Sequence, residues 1–180
     1  MEFSIFLIMK YFFITLFSCL CMTLAGQPRY YCLESDVFFK ENSTDIVNDD
    51  AYKRFQENLA YLKENPDRIN RVYVSGSTSP DGNTGDNIVL CNKRTWKVID
   101  IFLQYLPANK IYVLSNGEDY DLLYDLVEES DDPDKQLILN ILSIHRNPKY
   151  HLKQYPTIWN RLSKQYFPLL RKVHVEIYIE

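Results

Sequence analysis

The side chains best suited to binding chemistry lie between Gly76 and Arg94. A short apolar run, Val72–Val74, leads into a loop rich in Gly, Ser, Pro and Asp, and a helix is predicted to follow. The beginning of a helix presents unpaired backbone N–H groups and the positive end of the helix dipole. Asn87, Cys91 and Arg94 share one side of that helix because their spacing is i, i+4 and i+7. Arginine offers a planar donor fork to a carboxylate, so the segment predicts an anion-binding site.

Other kinds of site fit this segment less well. The loop 76–82 lacks the Gly-Lys-Ser/Thr ending of a nucleotide-binding loop and the Gly-x-Ser-x-Gly of a hydrolase. Asp81, Asn83 and Asp86 resemble the start of a calcium loop, but its closing glutamate is missing. The acidic cluster 117–121 could do acid–base work, although capping of the next helix is the simpler interpretation. We therefore predict no catalytic residue, no metal and no cofactor, and a plain turn-rich connection is the alternative to a binding loop.

Residues 1–26 predict export from the cytoplasm. Lys10 precedes an apolar run, Tyr11–Leu24, which ends in small residues typical of a signal peptide. The run is short for a membrane span, but an uncleaved anchor is an alternative. Lipidation at Cys19 is another, because Leu16-Phe17-Ser18-Cys19 approximates a bacterial lipobox.

The remaining residues, 27–180, suffice for a single domain with a hydrophobic core. The net charge of −4 argues against a nucleic-acid partner, whose binding surfaces are usually basic. An exported protein meets an oxidising compartment, in which Cys32 and Cys91 could form a disulfide. A buried thiol at Cys91 is equally consistent, since that position falls on an apolar helix face.

Hydrophobic periodicity predicts the elements that position the loop. The predicted strands are 37–39, 71–75, 111–114 and 172–180, and the predicted helices before the third strand are 51–64 and 86–105. The long segment between the third and last strands predicts three more helices, at 122–127, 132–142 and 157–166. The last strand alternates apolar and polar residues, which favours an antiparallel strand at a sheet edge. The order predicts an α/β protein with helices packed on a mostly parallel sheet.

The loop and the helix together resemble the OmpA-like domain, a peptidoglycan-associating module of bacterial envelopes. That family carries Gly-x-Thr-Asp-x-x-Gly after a strand and Asn-x-x-Leu-Ser-x-x-Arg-Ala in the next helix. The matching residues are Gly76, Thr78 and Gly82 in the loop, and Asn87, Leu90 and Arg94 in the helix. Segments 39–43 and 171–179 also resemble the family. The resemblance implies an α+β sandwich of order β-α-β-α-β-(helical insertion)-β with a mixed sheet, over residues 27–180. The insertion, about 117–168, is similar to that of a divergent subgroup with a Ser-Pro-Asp/Glu-Gly loop.

In this family the helix arginine binds the carboxylate of diaminopimelate in the peptidoglycan stem peptide, and the loop aspartate binds its ammonium group. The arginine carries over to Arg94. Ser79 stands where the family has the aspartate, and Asp81 lies two residues further along. The resemblance therefore implies a non-enzymatic site. Its candidate ligand-binding residues are Gly76, Thr78, Ser79, Asp81, Asn87 and Arg94.

Two functions follow as alternatives. The first is association with peptidoglycan at the periplasmic side of the outer membrane. The second is a structural adaptor of an envelope or surface-appendage assembly, in which the ligand site has lapsed and the helical insertion contacts envelope proteins. Both place the protein in the periplasm, with membrane contact only through an N-terminal anchor or a partner.

Overall fold

Four strands of the computed structural model, which describes residues 30–180, form one mixed sheet in the order β1-β4-β2-β3. The strands are β1 (Tyr31–Phe38), β2 (Ile69–Thr78), β3 (Ile111–Glu118) and β4 (Lys172–Ile179). β2 runs parallel to β3 and antiparallel to β4. The predicted signal peptide and Cys19 lie outside the described residues.

The position of β4 corrects one prediction. β4 lies inside the sheet, between β1 and β2, so its predicted place at an edge is wrong. Its residues alternate between buried and half-buried, because helices cover only one face of the sheet. An alternating pattern thus shows that one face of the strand is solvated, but it does not show whether the strand lies at an edge or inside the sheet. The expectation of a mostly parallel sheet is also wrong, whereas the mixed α+β fold implied by the resemblance is confirmed.

Helices α1 (Asp50–Glu64) and α2 (Thr84–Phe102) bury their apolar faces against this sheet. Asp49 caps α1 by accepting a hydrogen bond from the backbone N–H of Tyr52. The rings of Phe55 in α1 and Phe102 in α2 meet edge to face with centroids 6.0 Å apart. Burying a side chain of this size stabilises the fold by about 1.5–3 kcal/mol, so these helices are fixed mainly by packing.

β2 is longer than its apolar run predicted, because the small residues Gly76–Thr78 continue the strand. Thr78 pairs with Glu118 of β3 after a register shift. Gly76 lies against α2 so closely that a Cβ built on it would be 1.9 Å from Thr95 Oγ1. The loop between β2 and α2 is therefore reduced to residues 79–83.

The segment between β3 and β4 folds into five helices. They are α3 (Tyr120–Glu128), α4 (Lys135–Ile144), α5 (Pro148–Lys153), α6 (Pro156–Gln165) and α7 (Phe167–Leu170). The three predicted helices are present, and the short α5 and α7 were missed. The predicted start of α4 at Asp132-Pro133 is wrong: Asp134 is its N-cap, and Asp132 instead pairs with Arg161 at 2.7 Å. The insertion has its own hydrophobic cluster, which includes Leu123, Val127, Ile138, Leu152, Leu162 and Leu170.

Within residues 30–180, no helix combines the length and the apolar character that a membrane span requires.

Candidate ligand-binding site

Asn87, in the first turn of α2, holds the β2–α2 loop in place. Asn83 caps the helix with its side chain, which fixes where this turn begins. The Nδ2 group of Asn87 donates to the backbone carbonyls of Ser79 at 3.1 Å and Asp81 at 2.6 Å. It also donates to Glu118 Oε1 at 2.8 Å. Since Asn87 is only 5% exposed, it is a buried residue that holds the backbone of the loop in position.

Ser79 and Asp81 face an arginine that the sequence analysis missed, Arg171. Ser79 Oγ donates to Asp81 Oδ1 and accepts from Arg171 Nε at 3.1 Å. Arg171 Nη2 donates to Asp81 Oδ2 at 2.7 Å, and Arg171 Nη1 lies 3.4 Å from Glu41 Oε2. The only sequence signal for Arg171 was its position at the start of the segment that resembles the family's closing strand. The site therefore contains a second cation, and Asp81 is already paired with it.

Arg94 is buried, with only 1% of its surface exposed. Its Nε donates to the backbone carbonyl of Ser43 at 2.9 Å, and its Nη2 to that of Lys40 at 2.8 Å. The ring of Phe39 lies 5.3 Å from the guanidinium carbon. Burial, and secondarily the charge of Arg171, lower the pKa of Arg94 to about 10. Arg94 therefore stays protonated at neutral pH.

Among the ion pairs formed by residues 30–180, none includes Arg94. A buried cation without a carboxylate partner is costly to stability, and such groups cluster at functional sites. Two nearby side chains act on the pKa of Arg94 in opposite directions, since the positive charge of Arg171 lowers it and the negative charge of Asp81 raises it.

Glu118 connects this site to the helical insertion. Lys149 Nζ, at the start of α5, lies 2.8 Å from Glu118 Oε1 and 3.3 Å from Thr84 Oγ1. Tyr120 Oη donates to Glu118 Oε2 at 2.9 Å. Burial raises the pKa of Glu118, but hydrogen bonds from Lys149, Asn87 and Tyr120 outweigh it and leave the pKa below its ordinary value. An ionised carboxylate held by three donors is a structural group rather than a proton carrier at neutral pH.

The remaining sequence candidates have identifiable structural contacts. Thr78 Oγ1 donates to the carbonyl of Gly117 at 2.8 Å, and Gly76 allows β2 to approach α2. Asp119 caps α3 by accepting from the N–H of Leu122, and Asp121 lies in the first turn of α3, which confirms the capping interpretation for these two residues of the 117–121 cluster but not for Glu118. The part of the chain from residue 30 onward contains no group of three or more His, Cys, Asp or Glu side chains that could hold a metal ion. Cys32 is exposed, Cys91 is buried, and both thiols are free.

The OmpA family matches residues 38–132, just over half of the chain, and the chain belongs to this family. No curated protein matches it. Solved structures also resemble it at low identity, and they include the following three. The peptidoglycan-associated lipoprotein from Burkholderia pseudomallei is 17% identical, with a TM-score of 0.43 over 80% of this chain and 89% of that chain. The OmpA-like domain of FopA1 from Francisella tularensis subsp. tularensis SCHU S4 is 16% identical, with a TM-score of 0.46 over 85% of this chain and 76% of that chain. The periplasmic domain of Helicobacter pylori MotB is 13% identical, with a TM-score of 0.41 over 86% of this chain and 76% of that chain.

Proposed function

We propose that this chain is a non-enzymatic cell-envelope domain that binds the diaminopimelate of the peptidoglycan stem peptide, at the periplasmic side of the outer membrane. Membership of the OmpA family supports the general role. The observation that carries the proposal is Arg94, a buried and protonated arginine that forms no ion pair within residues 30–180. A ligand carboxylate supplies the missing charge.

In the proposed complex, Arg94 binds the ligand carboxylate and Asp81 binds the ligand ammonium group. Asp81 lies beside Ser79, where the family has its aspartate, and 28% of its side chain is exposed. A carboxylate has about four acceptor positions, so Asp81 can accept a further hydrogen bond beside those from Ser79 and Arg171. Because Arg171 already offsets the charge of Asp81, we expect weaker ammonium binding than an unpaired aspartate would give.

A pull-down on purified peptidoglycan, with free diaminopimelate as competitor, tests the proposal. Arg94→Lys keeps the charge but loses the planar fork, and it disturbs the core less than Arg94→Ala. Loss of a charge-assisted hydrogen bond costs about 1.5–3 kcal/mol, which weakens binding by about 10- to 150-fold. Lys97→Ala is the matched control, because Lys97 Nζ donates to the carbonyl of Thr44 in the same segment but lies on the exposed side of α2.

Two results would overturn the proposal. One is binding of the unaltered protein that does not exceed background or does not respond to free diaminopimelate. The other is an Arg94→Lys protein that binds as well as the unaltered protein, or that loses no more binding than the Lys97→Ala protein, since either result would show that binding does not depend on the guanidinium group. Thermal unfolding of each variant shows whether the fold is retained.

The adaptor function remains a second candidate because Arg171 already balances the charge of Asp81, so this part of the site needs no ligand ammonium group. The insertion also exposes apolar side chains, notably Ile144 at 73% and Tyr150 at 60%. If this function holds, a photocrosslinker at Ile144 should capture one envelope protein in cells, and Tyr150→Asp should abolish the capture. Peptidoglycan binding without any such crosslink would count against the adaptor.

We also propose that residues 1–26 direct export. Mass spectrometry of the mature N-terminus distinguishes the three forms: cleavage near Gly26, a lipidated Cys19, or an intact N-terminal anchor.

A further inference from the structure

One edge of the sheet exposes a continuous apolar strand. The three consecutive residues Tyr112, Val113 and Leu114 of β3 are 49%, 50% and 60% exposed. Ile88 of α2, 48% exposed, borders the same strand, since its Cγ1 lies 3.5 Å from the Cβ position of Gly117. We call Tyr112–Leu114 together with Ile88 the β3 edge. Apolar residues scattered singly over a surface are ordinary, but four together on one strand and its neighbouring helix indicate a contact surface.

The backbone of β3 is available for pairing on its outer side. β3 is the last strand of the sheet and pairs only with β2 among the described strands. Natural edge strands are normally protected by charged residues, proline or bulges. The segment 111–115 contains no charge, no proline and no glycine, and the register shift of β2 against β3 lies beyond it, between Gly76 and Thr78.

The opposite edge of the same sheet shows the usual protection. β1 carries the exposed Glu34 and the half-buried Asp36. Asp36 is paired with Lys172 at 3.0 Å and with His174 at 2.8 Å, both on the neighbouring strand β4. The chain thus protects one edge with charge and leaves the other apolar, which is the asymmetry expected if β3 has a strand partner.

We propose that the β3 edges of two copies of this chain pair antiparallel about a twofold axis through Val113, and so form one continuous sheet. Self-complementarity favours a second copy as the occupant. In this register Val113 faces itself, Tyr112 faces Leu114, Ile111 faces Ser115, and Lys110 faces Asn116. Each apolar residue of the centre meets an apolar residue, and no row places like charges opposite each other.

The strand is also held ready for this pairing. The ring of Tyr112 stacks on Tyr73 of β2 with centroids 5.0 Å apart, so its side chain is already oriented on the open face of the sheet. The Nζ of Lys110 donates to the carbonyl of Ile69, the first residue of β2. This contact holds the positive charge of Lys110 toward β2 and away from the proposed interface. The proposal does not depend on peptidoglycan binding, because none of these residues belongs to the Arg94 site.

Sedimentation velocity of the mature protein over a range of concentrations tests the dimer. Val113→Lys places two lysines at the twofold axis and should weaken dimerisation by about a hundredfold or more. Val89→Lys is the matched control, since Val89 is 51% exposed on α2 but lies outside the β3 edge. It should leave the dimerisation constant unchanged.

A disulfide tests the register directly. Opposite residues of an antiparallel pair have Cα atoms about 4.5–5.5 Å apart, a distance that a disulfide spans. In a Cys32→Ser background, which removes the exposed natural thiol, Val113→Cys should give a covalent dimer on oxidation and Val89→Cys should not. A protein that is monomeric at every concentration overturns the proposal. So does a dimer insensitive to Val113→Lys, or a Val113→Cys protein that crosslinks in cells to a different protein and never to itself.

Discussion

Replacing Gly76 with alanine should destabilise the fold, because β2 and α2 approach each other most closely at this residue. A Cβ at Gly76 would lie 1.9 Å from Thr95 Oγ1 and 3.3 Å from Cys91 Sγ. Thr95 is 1% exposed and Cys91 is fully buried, so neither side chain has free space to move into. Overpacking a filled core costs about 1–3 kcal/mol, and the severity of this contact places the expected loss near 3 kcal/mol.

Thr95→Ala provides the matched rescue. It removes the oxygen at 1.9 Å and leaves the Thr95 Cβ position at 3.2 Å as the nearest contact. The double variant Gly76→Ala/Thr95→Ala should therefore be more stable than the sum of its two single changes by about 1–2 kcal/mol. Thermal unfolding measures this, since each kcal/mol shifts Tm by about 2–4 °C in a domain of this size. A Gly76→Ala protein that unfolds at the unaltered temperature, or strictly additive changes in the double variant, would refute the close-approach argument.

Three further outcomes are expected. Asp132→Asn should lower the free energy of unfolding in urea by about 3 kcal/mol, because it breaks the two contacts that Arg161 makes to a carboxylate whose side chain is 0% exposed. A decrease below about 1 kcal/mol, no more than an exposed ion pair contributes, would show that the pair is dispensable. Glu118 has a folded pKa below its ordinary value of 4.5, so its contribution is present above that pH and is lost as the pH falls through the lower folded pKa. Glu118→Gln should flatten this acid limb of the stability profile, and an unchanged profile would contradict the assignment. The hydrogen bond between Asp36 and His174 raises the pKa of His174 above 6.5. The stability that this pair contributes is therefore fully present below pH 6.5 and is lost as the pH rises through the pKa of His174 in the folded protein. Asp36→Asn should lower the His174 pKa measured by NMR titration, and no change would exclude this hydrogen bond as the cause.

The residues of α2 illustrate what could be predicted from the sequence. Asn87 and Arg94 were placed on the same side of one helix from their spacing, and both are buried on that side. Helical periodicity is a local property, so a contiguous segment is enough to determine it. The end of β2 was missed because Gly76–Thr78 lacks the apolar signal of a strand, and its strand conformation depends on pairing with β3.

The contacts of the site could not be predicted in the same way. Arg171 meets Asp81 across a sequence separation of 90 residues, and the carbonyls that receive Arg94 belong to Lys40 and Ser43, more than 50 positions earlier. No local pattern encodes which distant strand end or loop will meet a given side chain. The helical insertion increases this separation, yet its Lys149 returns to Glu118 beside the loop.

The sequence by itself determined the strand-loop-helix unit, its family and the placement of Arg94 on the same side of the helix as Asn87. These depend on residue spacing within one segment. Only the tertiary structure decided that Asp81 is paired with Arg171, that Arg94 has backbone carbonyls and no carboxylate as its partners within residues 30–180, and that β3 and not β4 forms the apolar edge. Strand order brings together residues that are remote along the chain, so charge pairing and edge exposure follow from the folded sheet and not from any contiguous pattern.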